Sequence, residues 1–81
     1  MSSFFSQIIP PILGITVQII DNKCICLCNE KKILSIIYYI TEEDPEIYVY
    51  NYNNQITAVF IENSILNAKK FIKNEFIILA N

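Results

Sequence analysis

Short polar breaks divide residues 14–62 into stretches of β-branched and aromatic residues, and this pattern constrains the fold more than any other feature. Asp21-Asn22 separates ITVQII from KCICLC, and Asn53-Asn54 separates IYVYNY from QITAVF. Because Asn and Asp tolerate positive φ, both pairs suit two-residue hairpin turns. The chain is therefore predicted to fold as a series of hairpins.

Two further breaks lie at residues 29–32 and at residues 41–46, where Pro45 blocks a regular strand. The stretches between the breaks predict five strands, at 14–20, 23–29, 33–40, 46–52 and 55–62. Since each connection is short, consecutive strands are expected to pair antiparallel, as a meander.

The last quarter of the chain changes to helical periodicity. Ser64 can cap a helix, and apolar residues follow at spacings of three and four: Ile65, Ala68, Ile72 and Phe76. A helix is predicted over 64–75. Asn74 can end it in a left-handed cap, so residues 76–80 are predicted as a final strand, with continuation of the helix as the alternative.

These elements predict an α+β fold, an antiparallel β-meander of five to six strands with a C-terminal helix packed on one face. The 81 residues are expected to form a single small domain, with an N-terminal apolar segment at 1–13 before the meander at 14–62. Residues 3–9 are predicted to form a helical turn that ends before Pro10. One helix covers one face, so the N-terminal segment or a second copy is expected to cover the other.

The second predicted strand carries every cysteine of the chain, at alternate positions: Cys24, Cys26 and Cys28. The turn at Asp21-Asn22 places them on the face of three apolar residues of the first strand: Ile15, Val17 and Ile19. Neighbours two apart on a strand are separated by roughly 6.6 Å, too far for a disulfide. No His or fourth Cys completes a zinc site. We interpret the thiols as buried apolar side chains, with an intermolecular disulfide or a metal shared by two chains as alternatives.

The second hairpin carries the candidate interaction surface. A turn at Asn53-Asn54 sets each tyrosine of one strand opposite a residue of the next, Tyr48 opposite Val59, Tyr50 opposite Thr57 and Tyr52 opposite Gln55. The predicted partner-binding stripe consists of Tyr48, Tyr50, Tyr52, Thr57 and Val59. The reverse face is predicted to meet the helix: Ile47, Val49, Ile56, Ala58 and Phe60. Tyrosine is enriched at interfaces, but it is also common on half-exposed strands, which is the alternative interpretation.

The inventory of side chains argues against catalysis. His and Arg are absent, which removes the commonest general base and the phosphate clamp. The single glycine, Gly14, excludes a glycine-rich phosphate loop. We therefore expect neither an enzyme nor a bound cofactor.

Net charge and the N-terminus bear on partners and location. A net charge of −2 argues against broad binding of nucleic acid. Pro10, Pro11 and Gly14 interrupt the apolar run at 4–20, and no basic residue precedes it, so neither a spanning helix nor a signal peptide is expected. An intracellular location follows, in the cytoplasm of the producing cell or of a host cell. A membrane-associated N-terminus is a minor alternative.

The sequence therefore predicts a protein-interaction module that forms a homodimer through an open sheet face or an edge strand. Eighteen Ile, nine Asn and no Arg reflect AT-rich codon usage. This composition suits an accessory protein of a virus or mobile element, one that binds and blocks a host protein. The alternative is a nucleic-acid-binding module that uses a lysine cluster of the predicted helix: Lys69, Lys70 and Lys73.

Overall fold

The computed structural model describes residues 3–40 and 44–80, and in them the predicted α+β meander is confirmed. The elements in chain order are α1 (Ser3–Ile8), β1 (Ile15–Ile20), β2 (Lys23–Cys28), β3 (Lys31–Tyr39), β4 (Glu46–Asn51), β5 (Ile56–Ile61), a 3₁₀ turn (Glu62–Ser64) and α2 (Ile65–Leu79). The strands form one antiparallel sheet in the order β1-β2-β3-β4-β5. Residues 41–43, within the fourth predicted break, lie outside the described residues.

The first hairpin has the predicted register. Ile20 pairs with Lys23 across the Asp21-Asn22 turn, and Asp21 has a φ of 53°. Asn22 ties this turn to the third strand, because its side-chain Nδ2 donates to the Tyr38 carbonyl at 3.0 Å. The turn is thus held both by the strands that it joins and by the hydrogen bond to the third strand. A turn held in this way sets the register of the hairpin.

The β2–β3 hairpin turns on Asn29 and Glu30 alone, so Lys31 and Lys32 belong to β3 and not to a polar break. Asn29 has a φ of 54° and Glu30 a φ of 66°. Positive φ at both central residues is the geometry of a type I′ turn, which favours Gly at the second position. Glu30 therefore has a left-handed backbone conformation, which is unfavourable for any residue with a Cβ.

Replacing Glu30 by Gly is expected to stabilise the protein by about 0.5–1 kcal/mol, because Gly adopts positive φ without a steric cost. This net gain allows for the larger backbone entropy that Gly loses on folding. The measurement is the midpoint of urea unfolding. Glu30→Ala is the matched control, since it removes the same carboxylate but keeps the Cβ. A Gly variant that is no more stable than the Ala variant would contradict the unfavourable backbone conformation at Glu30.

The second hairpin differs from its prediction. Its loop is three residues long, because the Asn51 N–H donates to the Gln55 carbonyl at 2.9 Å and the Asn54 N–H to the Asn51 carbonyl at 3.0 Å. Asn51 Oδ1 also accepts from the N–H groups of Asn53 (2.9 Å) and Gln55 (3.0 Å). Asn54, with a φ of 62°, closes the loop. A type I turn followed by a left-handed residue is the usual three-residue hairpin loop.

The longer loop displaces β5 by one residue near the turn. Tyr48 pairs with Val59 as predicted, but Tyr50 pairs with Ile56, and a bulge lies between Val49 and Tyr50. The predicted pairings of Tyr50 with Thr57 and of Tyr52 with Gln55 are therefore wrong. Ile56 is 54% exposed, so its predicted place on the core face is wrong as well.

The C-terminal helix is longer than predicted, and the predicted final strand at 76–80 is wrong. Residues 76–79 continue α2, and the Ala80 N–H donates to the Phe76 carbonyl at 2.9 Å. Phe76 is fully buried four residues after Ile72, on the same face of the helix. Burial of that ring favours continuing the helix past Asn74, so the sheet has five strands.

Ser64 occupies the N-cap position of α2 but makes no side-chain capping bond. Its hydroxyl pairs instead with Asn63 Oδ1 at 3.4 Å. The 3₁₀ turn before α2 leads the chain from β5 into the helix without that cap.

Both helices lie against the same face of the sheet. The buried apolar residues form one cluster: Phe5, Ile8, Cys24, Cys26, Leu34, Ile36, Ile47, Val49, Ala68, Ile72 and Phe76. The predicted helical turn at 3–9 is confirmed as α1, whose Phe4 stacks on Tyr38 at 4.0 Å between ring centroids. The N-terminal segment therefore adds to the face that α2 covers and leaves the opposite face, the open face, uncovered by any described residue.

Candidate functional site

The open face is apolar at its centre. Alternation along β2–β5 places eight large side chains on it: Ile25, Leu27, Ile37, Tyr39, Tyr48, Tyr50, Val59 and Ile61. Val59 is 47% exposed, Ile61 41% and Tyr39 40%. A small globular protein ordinarily covers or breaks up such a patch, so the open face is the candidate site.

Cross-strand pairing sets the order of side chains across this face. One row runs from Lys23 through Ile37 and Tyr48 to Val59. In the adjacent row Ser35 lies between Ile25 and Tyr50 and is only 2% exposed, because larger neighbours enclose its short side chain. The centre of the face is thus formed by apolar and aromatic groups around a small residue.

Three tyrosines form a cluster on the open face. The rings of Tyr39 and Tyr48 meet edge to face at 4.9 Å between centroids, and those of Tyr48 and Tyr50 stack at 6.5 Å. The Tyr48 hydroxyl donates to Glu46 Oε1 at 3.4 Å. Edge-to-face and offset ring pairs stabilise beyond the area that they bury, so the cluster is a preorganised aromatic surface.

The cluster raises the pKa of two phenols. The negative charge of Glu46 is the main cause of the raised pKa of Tyr48, with smaller contributions from desolvation and the hydrogen bond to the same carboxylate. The pKa of Tyr50 is raised chiefly by its side-chain hydrogen bond with Tyr39. Both phenols therefore stay neutral to higher pH than a free tyrosine does.

Alkaline titration is expected to follow from these contacts. A folded-state pKa above the unfolded one stabilises the fold below about pH 10, and that stability is lost as pH rises through the folded pKa. Glu46→Gln should lower the pKa of Tyr48 towards its ordinary value. Carbon-13 NMR of the tyrosine Cζ atoms measures it in the wild type and in the variant, and an unchanged Tyr48 midpoint would contradict the role of Glu46.

The predicted partner-binding residues divide into two groups. Tyr48, Tyr50 and Val59 lie together on the open face. Tyr52 lies in the hairpin loop and is 60% exposed, whereas Thr57 lies at the bulge and its hydroxyl donates to the Val49 carbonyl at 3.3 Å. The loop length that displaces both residues is set by the Asn51 side chain.

Sequence reasoning missed Tyr39 as the third member of the tyrosine cluster. It pairs with Glu46 at the end of β3 and brings its ring onto that of Tyr48. Alternation along the third predicted strand could have placed Tyr39 on this face, but only with the β3–β4 register known. That register depends on a connection containing residues 41–43, which has no hairpin signature.

The cysteines share a face with Ile15, Val17 and Ile19, as the first hairpin predicts, and the structure shows that this is the helix-covered face. Cys24 and Cys26 are fully buried, Cys28 is partly exposed, and all three thiols are free. A hydrogen bond with Cys24, together with burial, raises the pKa of Cys26 far above its ordinary value. Within the described residues, no group of three or more His, Cys, Asp or Glu side chains could hold a metal ion.

Native alkylation is expected to separate these thiols. Iodoacetamide reacts with accessible thiolates, so Cys28 should be labelled first, and Cys24 and Cys26 only when urea unfolds the chain. Peptide mass spectrometry measures the extent of labelling at each position. Labelling of Cys26 as fast as Cys28 in the native protein would contradict its burial, and a mass of two joined chains without reductant would support the intermolecular disulfide.

The lysines of the alternative interpretation lie on α2, away from the open face. Lys69, Lys70 and Lys73 are all exposed. Lys69 and Lys73 are one turn apart, which suits the wet side of an amphipathic helix. The structure brings no aromatic residue of the open face to them.

An apolar groove of about 530 Å³ lies on the helix side of β1. The α1–β1 connection forms one wall, including Pro10 and Ile12, and β1 provides Val17 and Ile19. The groove therefore borders the edge of the sheet and is separate from the open face.

Of the helices in the described part of the chain, neither has the length and apolar content that crossing a membrane requires. No protein-family model, no curated protein and no solved structure matches this chain.

Proposed function

We propose that this protein is a protein-interaction module that binds its partner through the open face. The observation that carries the proposal is a sheet with both helices on one side and an apolar, aromatic surface on the other. A partner that covers this surface removes Val59, Ile61 and Tyr39 from water, each of them at least 40% exposed.

The arrangement of side chains suits an interface. Tyr48 and Tyr50 lie on β4, between β3 and β5, and are held by ring contacts. Tyrosine side chains at interfaces often carry a large share of binding energy. The charged groups Glu46 and Lys23 lie towards one end of the face. An apolar centre with charge at its margin is the usual anatomy of a protein–protein interface.

We propose that the partner is another protein. Binding would block a surface of that protein, without a chemical reaction. The AT-rich composition favours an accessory protein of a virus or mobile element that covers a functional surface of a host protein in the cytoplasm. A second copy of the chain is the other proposed partner. Both need the same property, an apolar surface complementary to the open face.

The test compares two tyrosine variants in co-purification from cell extract. Tyr48→Ser combined with Tyr50→Ser removes two rings from the open face, and Tyr52→Ser removes one exposed ring from the loop as the matched control. We expect a protein that co-purifies with the wild type and with the control but not with the double variant. With purified components, the wild type and the control should bind this protein more tightly than the double variant does. A double variant that retains every wild-type partner would overturn the proposal.

The same experiment separates the nucleic-acid alternative. Binding that survives the double tyrosine variant, weakens steeply with salt and disappears when Lys69, Lys70 and Lys73 are replaced by Gln would favour that alternative. Binding through the open face should instead change little with salt, because its central contacts are uncharged.

A further inference from the structure

We infer that two copies of this chain join at β1, edge to edge, into one continuous antiparallel sheet. β1 and β5 are the ends of the sheet order, so each has one side where no strand of the described residues pairs. This site is the edge of the sheet and not the open face, so the inference goes beyond the proposed function and either can fail alone.

The hydrogen bonds show how the β1–β2 ladder is oriented. The Tyr38 N–H donates to the Asn22 carbonyl at 2.9 Å, so the Asn22 backbone is directed towards β3. Because this direction alternates along an antiparallel strand, the next residue, Lys23, directs its N–H and C=O towards β1. There Lys23 pairs with Ile20, whose backbone groups therefore point inward.

Counting back from Ile20, the residues that turn their backbone groups outward are Ile19, Val17 and Ile15. The Ile15 N–H already donates to the Ile12 carbonyl at 3.1 Å, in the bend through which the chain enters β1. Val17 and Ile19 are thus the open part of this edge. Backbone donors and acceptors at every second residue, beside apolar side chains, match an extended polypeptide strand better than a small molecule.

β1 lacks the features that normally prevent edge pairing. Its sequence, ITVQII, contains no charge and no proline, and its pairing with β2 has no bulge. A strand without charge also meets no repulsion when it pairs with itself. β5 differs, because the bulge in its pairing with β4 distorts that edge. A second copy of β1 is therefore the occupant that we assign to the β1 edge.

Two-fold symmetry and the bend before β1 together limit the register. Opposed residues must share a face, and outward-directed residues must form the hydrogen-bonded pairs. Val17 opposite the partner's Ile19 meets both conditions, and each of the two equivalent pairs exchanges two N–H···O bonds. Gln18 then lies opposite the partner's Gln18 at the axis. The next register, Val17 opposite the partner's Val17, would push the partner's Ile20 against the bend before β1.

The groove beside β1 supports this occupant. Val17, 42% exposed, and Ile19, 36% exposed, line it from the sheet side. In the edge-paired dimer, the partner's Val17 and Ile19 lie next to them on the same face. The two grooves become one apolar compartment between the copies, so pairing buries side chains as well as backbone groups.

The first test is the molar mass in solution by light scattering, at the protein concentrations used for NMR. The wild type is expected to have twice the chain mass of 9.4 kDa, with or without reductant. Val17→Pro removes an outward N–H but no β1–β2 bond, so it should be folded and monomeric. Val59→Lys, on the open face, should stay dimeric. A monomeric wild type, a dimeric Val17→Pro variant, or a dimer lost with Val59→Lys or with reductant would overturn the inference.

The second test does not depend on the folding of the proline variant. In a Cys28→Ser background, Gln18→Cys places two thiols at the axis, where opposed Cα atoms are about 4.5 Å apart, within disulfide range. Thr16→Cys is the matched control, because the two thiols would lie roughly 13 Å apart at 3.3 Å per residue. Copper-phenanthroline oxidation should cross-link only the first variant, and cross-linking of both or of neither would overturn the register.

Discussion

Replacing Phe76 by Ala is expected to lower the free energy of unfolding by about 3–5 kcal/mol, the range found for truncation of a buried aromatic side chain. The ring is fully buried and lies in the last turns of α2, against the core that both helices share. Truncation removes the transfer free energy of the ring and leaves a cavity, which the surrounding side chains fill only in part. For a domain of this size, each 1 kcal/mol shifts Tm by about 4–8 °C.

Thermal unfolding followed by circular dichroism measures the effect of Phe76→Ala. Ile77→Ala is the matched control, because Ile77 is the next residue of the helix and is 49% exposed. Phe76→Leu, a smaller truncation, keeps the comparison possible if the Ala variant does not fold. Equal losses for Phe76→Ala and Ile77→Ala would contradict both the burial of Phe76 and the extension of α2 through it.

Replacing Ile36 by Ala is expected to cost about 2–5 kcal/mol, the second large effect. Ile36 is fully buried at the centre of β3, between Cys24 of β2 and Val49 of β4. Truncation leaves a cavity in the middle of the core, where neighbouring strands are held by their own pairing and relax little. Urea unfolding measures the loss.

The adjacent residue is the matched control for Ile36→Ala. Ile37 points to the open face and is partly exposed, so Ile37→Ala should cost only about 1 kcal/mol. The difference in the free energy of unfolding between the two variants measures how much more the helix-covered face is buried than the open face. Equal costs would mean that the open face is covered in solution, and would move the search for a partner to self-association through that face.

The structure corrects the sequence-based account where local signals competed with burial. Asn74 is a plausible helix stop, yet burial of Phe76 two residues later outweighs that preference. Asn53-Asn54 is a plausible two-residue turn, but the side chain of Asn51 accepts two backbone N–H groups and stabilises a longer loop. In both cases the deciding contact involves a residue outside the motif that suggested the prediction.

The candidate site was predicted only in part, for the same reason. Tyr48 and Val59 pair as predicted, because the extra residue at the bulge offsets the extra residue of the loop and restores the predicted register farther along the ladder. Tyr39 required the β3–β4 register. Tyr52 and Thr57 were lost to the change in loop length, since a shift of one residue moves a side chain away from its expected neighbour.

The sequence by itself determined the strands, their antiparallel order, the burial of Cys24 and Cys26, and the first register, because side-chain alternation and turn residues act over a few positions. Only the tertiary structure decided which face the N-terminal segment covers. Phe5 and Ile8 pack with α2 over the same core instead of across the sheet. That choice depends on burying the largest apolar area between distant segments, which no local pattern encodes, and it leaves the open face uncovered by the described residues.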